Sequence, residues 1–111
     1  MAARAKRVRT YYAEYEQATF GRAWTREELV LGLLGDIGDL AKAVQGFNGV
    51  RSMQDPRDKL QHELGDVLWS VLVIAQAYDV DIEIAFGNLM TSLEDLYEDF
   101  KSGRLPGNTR P

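Results

Sequence analysis

Cysteine is absent from the 111 residues, and histidine occurs once, as His62. The first absence excludes a disulfide framework, a zinc–thiolate site and a thiol nucleophile. The second excludes a two-histidine metal site within one chain, and any Ser-His-Asp triad that does not use His62. Proline is scarce too. Pro56, Pro106 and Pro111 are the only three, and none falls inside a strongly periodic segment. Long apolar runs are missing: the longest, Val67 to Ala75, spans nine residues and contains Ser70. A membrane span needs about 20, so none is expected. What the chain has in quantity is carboxylate, 17 Asp and Glu against 13 Lys and Arg. Any chemistry therefore rests mostly on carboxylates.

The length, near 12.5 kDa, suits a single domain covering residues 1–111. Apolar residues at 45 % and charged residues at 27 % exclude wholesale disorder. The net charge of −4 is uneven, because residues 1–10 carry Arg4, Lys6, Arg7 and Arg9 with no acid, which leaves −8 on the rest. An acidic body argues against nucleic acid as a partner. The basic start reads as a solvated, frayed terminus. No apolar h-region follows it, so no signal peptide is expected, and the lack of cysteine fits a cytoplasmic protein.

The periodicity predicts four helices and no hairpin. The first runs from Val8 to Thr19, with Tyr11, Tyr12, Tyr15 and Phe20 giving it an aromatic side. The second starts at a capping box, Thr25 with Glu28, and continues to about Val44; Gly46 sits near its end and Asn48-Gly49 marks a turn. The third starts with Asp55 as cap and Pro56 in the first turn, and runs to about Tyr78. The fourth is capped by Asp81, carries Glu83 in its first turn and ends near Ser102, with Gly103 as a left-handed terminator. The packed core is expected over about 10–102, with 1–7 and 104–111 flexible.

The second and third helices are apolar around most of their circumference, through Leu29, Val30, Leu31, Leu33, Leu34, Ile37, Leu40 and Val44 in one and Val67 to Ile74 in the other. A bundle of this size cannot cover both, which points to a homo-oligomer, dimer or tetramer, with these helices near the contact. Gly32, Gly35 and Gly38 recur every three residues. Each costs about 1 kcal/mol relative to Ala in a helix, so they are expected to make room for a packed neighbour.

Acids interrupt these two apolar helices. Asp36 and Asp39 lie in one, Glu63 and Asp66 in the other, each pair three residues apart and so on one helix face. Half-buried acids need a partner. No Lys or Arg lies three or four residues from Asp36, while Lys42 could reach Asp39 and Lys59 could reach Glu63. If the helices pack antiparallel the four acids face each other, and at 5–6 Å each like-charge pair repels by roughly 3 kcal/mol. A hard divalent cation, Mg²⁺ or Mn²⁺, relieves that repulsion.

The whole pattern, Asp-x-x-Asp, 23 residues, then Glu-x-x-Asp within Glu63-Leu-Gly-Asp-Val-Leu-Trp69, resembles the MazG-like nucleotide pyrophosphohydrolases. These belong to the all-α NTP pyrophosphatase superfamily, with the dimeric dUTPases and phosphoribosyl-ATP pyrophosphatases. Residues 31–40 are similar to the family's Gly-Leu-x-x-Glu-x-Gly-Glu-Leu, and the likeness covers about residues 10–100. It implies a four-helix bundle and hydrolysis of a nucleoside triphosphate to monophosphate and pyrophosphate, with nucleotide-pool house-cleaning as a role. It further implies Asp36, Asp39, Glu63 and Asp66 as Mg²⁺ ligands, with Asp39 and Glu63 as the catalytic carboxylates and Asp39 the first choice to take the proton of water. Asn88 falls where many members place an Asn near the metal. Lys42, Arg51, Arg57, Lys59 and Lys101 are candidates for the phosphates; Trp24, Phe47, Trp69 and Tyr78 are candidates to stack on a base. His62 reads as a surface or supporting residue.

Three departures from the family pattern stand out. Both Glu of its first motif are Asp here, which withdraws each carboxylate by roughly 1 Å, a distance to which catalysis responds. Gly35 stands where some members carry a further Glu. Thr91, followed by Glu94, Asp95, Glu98 and Asp99, replaces a Lys and other basic residues after the Asn. These departures support an alternative, a weak or inactive relative that binds metal, nucleotide or a partner. A second alternative is a structural helical oligomer with incidental acid pairs.

Overall fold

The computed structural model describes residues 1–104, and these are helical throughout apart from the connections. The elements are α1 (Ala2–Phe20), α2 (Arg26–Phe47), α3 (Pro56–Ala77) and α4 (Ile82–Lys101), with no strand among the described residues. They fall into two compact units. Met1–Asp79 holds α1 to α3, and a second unit beginning at Val80 holds α4. The tail from 105 to 111, expected to be flexible, lies outside the described residues.

The helix ends follow from local chemistry. Thr25 and Glu28 form the expected capping box: the Glu28 amide donates to Thr25 Oγ1 at 3.2 Å, and the Thr25 amide donates to Glu28 Oε1 at 2.9 Å. Asp81 caps α4 by accepting from the Ile84 amide at 3.2 Å. Two helices end in the same two-bond motif. After α2, the Gly49 amide donates to the Gly46 carbonyl and the Val50 amide to the Gln45 carbonyl. After α4, Gly103 donates to Phe100 and Arg104 to Asp99. In both cases the glycine at φ +77 makes the reversal.

Two boundaries differ from expectation. α1 begins at Ala2, six residues before Val8, and the segment 1–7 that looked flexible is its first turns. Ala5 is buried, the Trp69 indole donates to the Ala5 carbonyl, and the Gln76 amide donates to the Ala2 carbonyl at 2.7 Å. Contacts with α3, which a local charge pattern does not reveal, order this end. Asp55 does precede α3, but it makes no side-chain cap bond. Its backbone is left-handed, φ 48 and ψ 57, where a capping residue is normally extended; Pro56 in the first turn carries no N–H to cap.

α2 and α3 run antiparallel through the 48–55 connection. At one end the Arg26 guanidinium lies 4.7 Å from the Tyr78 ring centroid. At the other, Gly46 packs under Met53, so closely that a Cβ would overlap the Met53 side chain. Ala43, Leu72, Val73 and Ala75 form the buried centre with Ala5. The glycine row was expected to admit a neighbour, and Gly32 does, with Trp24 3.2 Å from where a Cβ would stand. Gly35 and Gly38 face open space. Gly46, at the tightest approach, lies outside the row.

Gly46→Ala is expected to destabilise the fold by about 1–3 kcal/mol through overpacking. Met53→Ala in the same chain should recover much of that loss in urea unfolding.

Candidate active site

A cavity of about 410 Å³ opens between α1, α2 and α3. Its walls are Asp36 on α2, Asp66 and Ser70 on α3, Trp24 before α2, and Arg9 and Tyr12 on α1, with Trp69 beside them. One acid from each sequence pair therefore reaches the same space. Asp36, Glu63 and Asp66 are half-buried, and Asp39 is exposed. In the antiparallel register Asp36 and Glu63 mark the ends of an acidic strip about two turns long, roughly 10 Å.

Ser70 sets the register at one end, its hydroxyl donating to Asp36 Oδ2 at 2.5 Å, a short charge-assisted bond that holds the carboxylate in place. At the other end Glu63, Asp66 and His62 bring one ligand atom each to within 4.8 Å of one another. His62 Nε2 sits 3.2 Å from Asp66 Oδ2. Among the described residues no Lys or Arg pairs with Asp36, Asp39, Glu63 or Asp66 within 4 Å. Lys42 and Lys59, both exposed, do not form the local pairs with Asp39 and Glu63 that their spacing allows, and neither lines the cavity. The donor set, hard carboxylate oxygens without a side-chain cation, fits a divalent metal ion.

The opposite wall is held by a buried carboxylate. Glu16, 7 % exposed, accepts from Arg9 Nη1 at 2.8 Å and Nη2 at 2.7 Å, and its Oε1 also accepts from the Trp24 amide at 2.8 Å. The Arg9 fork, aided by the Trp24 amide, holds the Glu16 carboxyl below the usual carboxylate range against the opposing effect of burial. On the adjoining surface Arg22 grips Glu28 through two bonds and, with the Thr25 amide, brings its carboxyl down to about 2.

Of the other residues singled out in the sequence, Trp24 lines the cavity and remains 47 % exposed. Asn88 is an exposed residue of α4, in the second unit. Ser70 and Arg9 were not anticipated. Ser70 sits four residues beyond Asp66 on the same helix face, a signal present in the spacing. Arg9 had no local signal, since its partner is seven residues away and its cavity is built by other helices.

The model of the MazG nucleotide pyrophosphohydrolase domain matches residues 24–96, about two thirds of the chain. The chain belongs to this MazG family. The Gene 37 protein of Mycobacterium phage L5 is 41 % identical over 56 residues, 47 % of this chain and 48 % of that protein, so the chain matches about half the length of this relative. No solved structure matches. The MazG match includes both acidic pairs and the whole of α2 and α3; it begins at Trp24 and leaves α1 out.

Membership in the MazG family points to pyrophosphohydrolase-type chemistry on a nucleotide with a divalent metal, and the acidic strip offers the donors for one. No helix among the described residues is long and apolar enough to cross a membrane.

Glu16 has a folded-state pKa below its ordinary 4.5. Its stabilising contribution is therefore full above about pH 4.5 and is lost as pH falls through the lowered value. Acid titration followed by Trp24 and Trp69 fluorescence should show a transition that Glu16→Gln flattens.

Proposed function

We propose that this MazG domain hydrolyses a nucleoside triphosphate to the monophosphate and pyrophosphate, with Asp36, Asp39, Glu63 and Asp66 as ligands for Mg²⁺, or Mn²⁺ in its place. The observation that carries the reading is the shared cavity: Asp36 and Asp66, one from each acidic pair, stand on the walls that also hold Trp24, Tyr12 and Trp69. Acids and aromatic rings lining one cavity match a molecule that is charged at one end and flat at the other.

The bound ion would screen the phosphate charge and lower the pKa of a water molecule. The chain's own groups do the rest. Ser70 keeps Asp36 oriented, and His62 supports Asp66. Asp39, exposed and without a partner cation among the described residues, takes the proton as the water oxygen bonds to phosphorus and the bridging bond between the α- and β-phosphates breaks. Glu63 holds the other end of the strip. Lys42 and Lys59, on the same two helices as the acids, bind the leaving pyrophosphate, and Trp24 stacks on the base.

The protein acts as a homo-oligomer. Leu31, Leu34 and Ile37 lie one turn apart on α2 and are 65 %, 62 % and 47 % exposed, beside the open Gly35 and Gly38. Leu64 and Leu68 on α3 are exposed as well. Apolar rows of this kind are covered in stable assemblies. Clearing unwanted nucleotides from the pool is the role that fits.

Incubation with each common NTP and dNTP and Mg²⁺ should yield monophosphate and pyrophosphate. Glu63→Gln, which keeps the side-chain length and removes the charge of a metal ligand, should cut turnover by about 100-fold or more, beyond the cost of losing an outer-shell partner. Release of diphosphate and free phosphate would overturn the mechanism. Asp36→Glu with Asp39→Glu, which restores the longer side chains, should raise turnover. Light scattering should give a mass of two or four 12.5 kDa chains, reduced by Leu31→Glu with Leu34→Glu.

A further inference from the structure

We propose that Arg9 selects the nucleobase, donating hydrogen bonds to carbonyl oxygens on its edge and so favouring oxo bases over adenine. The inference rests on the nucleotide reading above and carries it to the part of the cavity built by α1, which the family match does not include.

Arg9 is held too rigidly, and is too nearly neutral, to serve as a loose phosphate cation. Both terminal nitrogens bond Glu16 at 2.7 and 2.8 Å, and the pair is shielded, with side chains 16 % and 9 % exposed. Glu16 is anchored in turn by the Trp24 amide. A guanidinium has five N–H groups, and the two bonds to Glu16 leave three. Its charge is cancelled by the carboxylate, so what it offers the cavity is a fixed set of donors with little net field. Such a group suits a neutral acceptor more than a triphosphate. The acids that call for the metal, and therefore for the phosphates, are Asp36 and Asp66 on other walls of the same cavity.

Aromatic rings line the same cavity as Arg9. Tyr12 and Trp69 are tilted together with ring centroids 5.8 Å apart, and Trp24 lines the same space. A volume of about 410 Å³ suits a ligand of nucleoside size. Stacking alone accepts every base, because every base has a π-face. Discrimination needs a directed donor or acceptor, and a planar guanidinium reads an oxo edge through paired donors. Adenine has ring-nitrogen acceptors but no carbonyl oxygen, and the amino group beside its N1 and N7 is a donor, so paired N–H groups meet one acceptor and one opposing donor.

The test is binding of non-hydrolysable α,β-methylene analogues of ATP, GTP and UTP, with Mg²⁺, by calorimetry. The wild type should bind the guanine or uracil analogue at least about ten-fold more tightly than the adenine one. Arg9→Lys, which keeps the charge partner for Glu16 but loses the planar fork, should shrink that ratio towards one. Because Arg9 variants strain the buried Glu16, Arg9→Met with Glu16→Gln is the second variant. The introduced carboxamide keeps an acceptor for the Trp24 amide, and this chain too should lose selectivity while keeping its helical circular dichroism. Equal wild-type affinity for all three analogues, or an equal loss for all three in Arg9→Lys, would overturn the assignment and leave the hydrolase reading standing. Failure of every analogue to bind, together with no turnover of any NTP, would overturn both.

Discussion

A carboxylate buried without partners is among the most costly things a small fold can contain. Glu16 is the one buried acid among the described residues, and the arrangement of the amino-terminal half follows from how it is satisfied. Its two oxygens take the Arg9 fork and the Trp24 amide. That places two turns of α1 and the chain entering α2 at Trp24 in a fixed relation. The cavity wall is the by-product: Arg9, Tyr12 and Trp24 face Asp36, Asp66 and Ser70 because Glu16 holds the first group together. The neighbouring Arg22–Glu28–Thr25 cluster locks the same connection from the solvent side.

The acidic strip obeys the opposite logic. Its carboxylates are half-buried or exposed, and among the described residues they have no lysine or arginine partner. The helices that carry them are also apolar on sides that α1 to α3 leave uncovered, at Leu31, Leu34, Leu64 and Leu68. A chain of this size thus presents two unsatisfied demands along the same pair of helices, one electrostatic and one hydrophobic. In the proposed reading a metal ion would answer the first and a second copy of the chain the second, which would tie assembly and chemistry to the same elements.

Much of this was legible in the residues. The capping box at Thr25, the Asp81 cap and the glycine stops at Gly49 and Gly103 are local, and the four helices are read from them and from the periodicity. The pairing of acids by helical spacing is local too. What the chain hides is contact across long separations. Ala2 and Ala5 are ordered by Gln76 and Trp69, more than 60 residues away, so the first turns of α1 look like a frayed basic end. Ser70 reaches Asp36 across two helices. Asp55 has the composition of a cap, yet its left-handed backbone, fixed by the path of the connection, disqualifies it. Lys42 and Lys59 have the spacing for ion pairs that solvent-exposed side chains do not form.

The uneven attachment of the helices has a kinetic consequence. α2 and α3 are neighbours in sequence, joined by an eight-residue connection and packed along their length. Such a hairpin closes a short loop and needs no other element to form first. α1 is fastened to it by the Trp69 and Gln76 bonds to its carbonyls, the Tyr12–Trp69 contact and the Glu16 clasp. On these contacts the hairpin is expected to assemble before α1 docks. Within Met1–Asp79, the excursion that breaks fewest contacts is release of α1 with the hairpin intact. The aromatic wall comes away while the acidic strip stays, so amide exchange in α1 reports the opening of the cavity, separately from global unfolding.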